Sequence, residues 1–151
     1  MALGRVRPLA LIALLVFVGA LTAACSDSPT SPTGVTALSF TDLRVGSGLE
    51  AASGHIVSVH YTLWLYDADR PEQKGLLIES SAGGSPFGFL LGAGQVIEGW
   101  DRGLVGVKPG GIRRLVVPSS LGYGGIRQNQ IPPFTPLVFE VEIVSVEVLT
   151  S

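Results

Sequence analysis

A segment from His55 to Tyr66, in which apolar and polar side chains alternate, constrains the fold more than any other part of the chain. Alternation with a period of two places successive side chains on opposite faces of a β-strand. One face carries Val57, Val59, Tyr61, Leu63 and Leu65. We expect this face to be buried in the core, where the Tyr61 hydroxyl needs a hydrogen-bond partner.

Four further segments are typical of strands, at 76–80, 87–91, 111–117 and 137–148. In the last of them, alternate apolar residues again share one face. Only 97–105 is typical of a helix, and Gly99 and Gly103 predict that it is short because glycine is a poor helix former. One helix placed between strands predicts an α+β domain in which the helix covers the concave face of an antiparallel sheet.

Composition excludes several classes of function. The net charge is −2 with no basic block, which argues against a nucleic-acid partner. A single cysteine forms no internal disulfide, and His55 and His60 do not have a zinc-binding spacing. Because no phosphate-loop, nucleophile-elbow or zinc-protease motif occurs, we expect neither a metal nor a cofactor.

The N-terminus has the pattern of a secretory signal peptide, which we place at residues 1–24. Arg5 and Arg7 precede an apolar run at 9–21, and small residues follow it. A single-pass anchor helix is the alternative, although the run is shorter than the roughly 20 apolar residues that a span requires.

Cys25 follows the small residues directly and resembles the lipidated cysteine of bacterial lipoproteins, although Thr22 stands where an apolar residue is usual. Cleavage after Ala24 by an ordinary signal peptidase is the alternative. Residues 25–34 then form the lipid anchor and a Ser/Pro/Thr-rich tether, and 35–151 form the folded domain. Ser26 resembles an outer-membrane sorting signal, so we expect an exported protein, lipid-anchored in the bacterial cell envelope at the outer membrane and facing the periplasm.

Aromatic residues concentrate between Pro86 and Asp101, in a chain that is only 7% aromatic. Taken alone, such a cluster is more often core than site. It forms part of a series of six motifs that resembles the FKBP family of peptidyl-prolyl isomerases in order and spacing over 39–147. The motifs are Val59–Thr62, Glu79–Ser81, Phe87–Gly92, Gln95–Trp100, Leu121–Gly124 and Ile131–Val141.

The resemblance implies an α+β fold in which a five- to six-stranded antiparallel sheet wraps around one short helix, with a pocket between them. It implies catalytic roles for Tyr61, Glu79, Phe87, Ile97, Trp100, Tyr123 and Phe139, and substrate contacts for Ile78, Val96 and Ile131. Trp100 would form the floor, and the Tyr123 hydroxyl and the Ile97 backbone N–H would donate to the substrate.

The implied activity is rotation of X–Pro bonds in exported proteins, by an apolar pocket that uses no covalent chemistry. The implied partners are proline-containing polypeptides, the membrane through the lipid, and a macrolide inhibitor. Ile78 and Glu79 replace the usual Phe and Asp, and the 124–130 loop lacks the usual histidine. A weakly active module that binds proline segments therefore stays open as the alternative, and a purely structural lipoprotein is a third possibility.

Overall fold

The computed structural model describes residues 34–150, so the predicted signal peptide, Cys25 and all of the tether except Gly34 lie outside the described residues. The strands are β1 (Ser39–Arg44), β2 (His55–Tyr66), β3 (Lys74–Ser80), β4 (Phe87–Leu90), β5 (Ile112–Val117) and β6 (Leu137–Val148); the α-helix is α1 (Glu98–Gly103). Short 3-10 turns occupy Pro71–Gln73 and Ser119–Leu121.

All six strands belong to one antiparallel sheet, in the order β1-β5-β6-β2-β3. The first part of β2 also pairs with β4, and its second part pairs with β3. β6 lies between β5 and β2, and it pairs with β2 from His55↔Val148 to Leu65↔Leu137. The expected α+β architecture, with one short helix on a six-stranded antiparallel sheet, is confirmed for the described part of the chain.

The core lies between α1 and the concave face of the sheet. Alternate residues of β2 point into this core, as the sequence pattern predicts. Val57 and Val59 are fully buried and Leu63 is 2% exposed, whereas Tyr61 packs against the core with partial exposure. β6 contributes the facing layer of Leu137, Phe139, Val141 and Ile143, each 3% exposed or less. The predicted inward faces of both strands are therefore correct.

The helix α1 is shorter than the predicted 97–105, and its two glycines have a packing reason. A Cβ at Gly99 would lie 2.5 Å from Cγ1 of Val117, and one at Gly103 would lie 2.7 Å from Cδ2 of Leu115. Both contacts are with β5. The missing side chains therefore let the helix lie directly on the sheet, and this close approach accounts for residues that lower helix propensity.

β1 is not predicted by the sequence analysis, and all six of its residues are exposed. The side chain of Arg113, which is 6% exposed, attaches this edge strand to the helix. Its Nε and Nη2 donate to the two carboxylate oxygens of Asp42 at 2.6 and 3.0 Å. Its Nη1 donates to the carbonyl oxygens of Gly103 and Val105, each at 2.9 Å. One guanidinium thus joins β1, β5 and the C-terminal end of α1.

No helix within residues 34–150 combines the length and the apolar character needed to cross a membrane.

Candidate functional site

A half-open cavity of about 430 Å³ lies between α1 and the concave face of the sheet. Its walls come from strands β2, β3, β4 and β6, from the segment before α1, and from Tyr123, two residues after the second 3-10 turn. The lining residues are Tyr61, Leu63, Glu79, Phe87, Gly94, Gln95, Val96, Ile97, Trp100, Tyr123 and Phe139.

Aromatic rings form the floor and one wall of this cavity. Trp100 is 4% exposed and lies at the centre of the ring cluster. The rings of Tyr61 and Phe139 meet it edge-on, with centroids 5.2 and 5.3 Å away. The Phe87 ring is 6.4 Å from Trp100 and 44% exposed, so it faces the opening. Edge-to-face pairs of this kind hold the rings in fixed orientations, and the result is a rigid apolar surface.

A hydrogen bond links the only two polar side chains of the cavity wall formed by β2 and β3. The Tyr61 hydroxyl donates to Oε1 of Glu79 at 2.8 Å. The longer side chain of glutamate therefore still reaches the tyrosine. Burial, followed by this hydrogen bond, raises the pKa of Tyr61 to about 12. Burial, and then the negative charge of Glu79, also raises the pKa of Tyr123. Both phenols are thus protonated donors at neutral pH.

The segment between β4 and α1 is fixed by two side chains. The Asp101 carboxylate accepts the backbone N–H groups of Gly92 and Gly94 at 2.8 and 2.9 Å. The amide oxygen of Gln95 accepts the N–H of Leu90 at 2.9 Å. Gly94 has a φ of 71°, which favours glycine. These contacts hold Val96 and Ile97 at the edge of the cavity.

The structure brings together eight of the ten predicted pocket residues: Tyr61, Glu79, Phe87, Val96, Ile97, Trp100, Tyr123 and Phe139. Ile78 and Ile131 are outside the lining. Ile78 lies at a register irregularity between β2 and β3 and is half-buried against the core, whereas Ile131 is 3% exposed and belongs to the core. The catalytic and substrate-binding roles of all ten residues stay predictions.

Three lining residues were not among the predicted site residues. Leu63 is on the inward face of β2 and was expected only in the core. Gly94 and Gln95 lie in the segment between β4 and α1. The hydrogen bonds to Asp101 help to fix this segment, and the strand pattern does not predict those bonds. The one available signal was their position inside the motif region between Gly92 and Trp100.

A second cavity, of about 220 Å³, lies beside β1 and is lined by charged side chains that already have partners. Arg44 pairs with Glu142 at 2.7 Å, and Lys108 pairs with Glu50 at 3.2 Å. Within residues 34–150, no three His, Cys, Asp or Glu side chains come together as a metal site would require. The aromatic cavity is therefore the candidate site.

A short helix laid on an antiparallel sheet, with an aromatic cavity between them, defines the FKBP-like class of α+β domains. The family model of the FKBP-type peptidyl-prolyl cis-trans isomerases matches residues 48–144. The chain belongs to this family and is a peptidyl-prolyl cis-trans isomerase.

The similar proteins agree with this assignment. The FK506-binding protein of Neisseria meningitidis serogroup B is 44% identical over 107 residues, which cover 70% of this chain and 92% of that protein. A crystal structure of a peptidyl-prolyl cis-trans isomerase from Pseudomonas syringae pv. tomato has 34% identity and a TM-score of 0.60, covering 73% of this chain and 75% of that one. FkpA from Escherichia coli has 34% identity and a TM-score of 0.62, covering 74% of this chain and 48% of that one.

Proposed function

We propose that the cavity binds the proline ring of a polypeptide over Trp100 and accelerates rotation about the preceding peptide bond without covalent chemistry. The observation that carries this proposal is the ring cluster, in which Tyr61, Phe87 and Phe139 surround a floor that is 4% exposed. Such a surface fits a saturated five-membered ring and excludes water from it.

An apolar cavity favours the transition state of this reaction. Rotation about a peptide C–N bond has a barrier of roughly 18–20 kcal/mol because the planar amide has double-bond character. The planar form is charge-separated, whereas the twisted form is less polar and loses less solvation on entering the cavity. Binding the twisted form better than the planar form lowers the barrier. A reduction of about 4 kcal/mol corresponds to roughly a thousandfold acceleration.

Hydrogen-bond donors at the opening orient the substrate in this proposal. We assign the hydroxyl of Tyr123 and the backbone N–H of Ile97 to carbonyl oxygens of the bound segment, as the family resemblance implies. Both residues line the cavity, and burial raises the pKa of Tyr123 further above neutral pH, where its hydroxyl is a donor. Glu79 acts on the aromatic wall by holding the Tyr61 hydroxyl.

The experiment uses NMR to measure the rate of cis–trans exchange of a proline peptide, with the full-length protein in detergent and with its Trp100→Leu variant. We expect acceleration by the wild type and at least a tenfold lower kcat/KM for the variant, because about 1.4 kcal/mol of lost contact is tenfold. A folded wild-type protein that gives no rate above background would refute the proposal.

The contact between Tyr61 and Glu79 favours this activity over the alternative of a weakly active proline-binding module. If glutamate at position 79 impaired the site, the Tyr61 hydroxyl would lack a carboxylate partner. Instead, the Tyr61 hydroxyl oxygen lies 2.8 Å from Oε1 of Glu79.

The ligands we propose are proline-containing polypeptides and an FK506-type macrolide. The relatives named FK506-binding protein support the second of these. Titration of the protein with such a macrolide, followed by tryptophan fluorescence, tests it.

We also propose that the protein is exported and lipid-anchored. Residues 1–24 would be removed, Cys25 would carry the lipid, and 25–34 would separate the domain of 35–151 from the outer membrane. Arg5 and Arg7, the apolar run that follows them and Cys25 after the small residues support this proposal. The mass of the mature N-terminus tests it. A mature protein that begins at Cys25 without added acyl mass would refute lipidation.

A further inference from the structure

The cavity has a single charged side chain among its lining residues, and this charge has no cationic partner. Of the lining residues, only Glu79 has a carboxylate, and none is a lysine, arginine or histidine. Its Oε1 accepts the hydroxyl of Tyr61, which is a neutral donor. Within residues 34–150, the nine ion pairs of the structure do not include Glu79. The negative charge is therefore not compensated by the protein.

Seven of the other ten carboxylates within residues 34–150 are in ion pairs; Asp69 and Glu147 are not, but neither lines the cavity. Asp42, Asp67, Glu50, Glu72, Glu98, Glu140 and Glu142 each have an arginine or lysine within 4.0 Å. Asp101 accepts two backbone N–H groups instead. Glu79 thus differs from them in combining a fixed orientation, a position in the cavity and an unmatched charge.

The carboxylate lies where a substrate side chain would meet it. Glu79 is exposed, and its charge reaches the phenol of Tyr123, whose pKa it helps to raise. Phe87 lines the same cavity and is 44% exposed. Lysine and arginine side chains lie along apolar surfaces while their charged ends reach outward, and they are attracted to aromatic rings. The cavity therefore offers both an apolar support and an anionic partner to such a side chain.

We propose that Glu79 makes the site select proline segments in which a lysine or arginine flanks the proline, and disfavour segments with aspartate or glutamate there. This inference rests on the proposed function, since it concerns the substrate class of the same cavity. Glu79 is then a specificity-determining residue as well as the partner of Tyr61.

The expected preference is moderate because Glu79 is exposed to solvent. Exposed ion pairs contribute up to about 1 kcal/mol, which is roughly fivefold in kcat/KM for a cationic substrate. Repulsion disfavours an anionic substrate by a similar factor, so we expect a Lys:Glu ratio of about tenfold or more at low salt. The ratio should fall with added salt, since the screening length is about 10 Å at 0.1 M.

The test uses peptides that differ only at the residue before proline, which is Lys, Leu or Glu, and a second series that varies the residue after it. Rates are measured by NMR exchange with the full-length protein in detergent, so that no coupling protease adds its own preference. In Glu79→Gln the amide oxygen still accepts from Tyr61 while the charge is lost. The control is Glu98→Gln, because Glu98 pairs with Arg102 outside the cavity.

We expect the wild type and the Glu98→Gln variant to prefer Lys peptides, and the preference to vanish in Glu79→Gln. A wild-type Lys:Glu ratio near one in both series, or a ratio that persists in folded Glu79→Gln, would overturn the inference. If Glu79→Gln does not fold, the wild-type salt titration decides, and a ratio that does not change with salt overturns it. Acceleration of the Leu peptides without a charge preference refutes this inference alone, whereas no acceleration of any peptide refutes the proposed function as well.

Discussion

Replacing Gly99 with alanine tests whether the close contact between α1 and β5 holds the floor of the cavity in place. The added Cβ would lie 2.5 and 3.0 Å from the two γ-carbons of Val117 and 3.3 Å from the carbonyl oxygen of Leu121. Alanine improves helix propensity by about 1 kcal/mol over glycine. Overpacking costs about 1–3 kcal/mol. Because a valine side chain is stiff at χ1 and the third atom is backbone, we expect a net loss of about 1–2 kcal/mol.

The functional effect should exceed the loss of stability. Trp100 follows Gly99 directly, so a helix that is pushed off the sheet moves the cavity floor. Misplacement of about 1 Å in a positioned site can reduce a rate by a factor of about 100. We expect a decrease of about tenfold in kcat/KM, since a few tenths of an ångström relieve the overlap.

The measurements are urea denaturation followed by tryptophan fluorescence, and kcat/KM for one proline peptide. Gly103→Ala should be milder, because its Cβ would lie 2.7 Å from the terminal Cδ2 of Leu115, a methyl group that can rotate away. The matched control is Gly84→Ala, where the nearest atom within reach is 3.5 Å away. A Gly99→Ala protein that is as stable and active as the wild type would show that propensity outweighs the contact, and our reasoning would be wrong.

Three further changes have expected outcomes. Asp42→Asn should destabilise the fold by about 1–3 kcal/mol in urea melts. The Arg113 hydrogen bonds lower the pKa of Asp42. The folded-state pKa is thus below the unfolded value of about 3.9, so the difference from wild type should be full above that pH and vanish as the pH falls through the lowered pKa. Tyr61→Phe should lower kcat/KM several-fold and reduce stability by about 1 kcal/mol through loss of one hydrogen bond. Glu79→Asp should not raise the exchange rate, and a sharp rise would favour the binding-module alternative.

The sequence predicts those parts of the fold in which one face of an element is buried. β2 and β6 alternate because their concave faces are in the core, and their bounds are predicted correctly at 55–66 and 137–148. The strand pattern places Tyr61, Phe87 and Phe139 on inward faces, but a pocket between helix and sheet needs the same residue types as a core. The family resemblance, and not the pattern alone, therefore predicted the cavity.

The parts that sequence reasoning missed depend on contacts between distant segments. β1 has no buried residue to produce a pattern, and it is defined by pairing with β5 and by the bond between Asp42 and Arg113, 71 positions apart. Gly99 and Gly103 suggest a weak helix when only propensity is considered. Their missing side chains let α1 pack directly against β5, and this contact is recognised only when the position of β5 is known.

The position of β6 affects when the domain can fold. It is the last strand of the described chain, yet it lies between β5 and β2 in the sheet. Until residues 137–148 have been synthesised, β5 and β2 lack the strand that joins them, and the layer of buried side chains that faces α1 is incomplete. Loop closure must precede such distant pairings, so formation of the sheet is slow compared with local structure. The domain therefore cannot complete its folding before β6 has emerged, and a nascent chain that ends before β6 should remain sensitive to proteolysis.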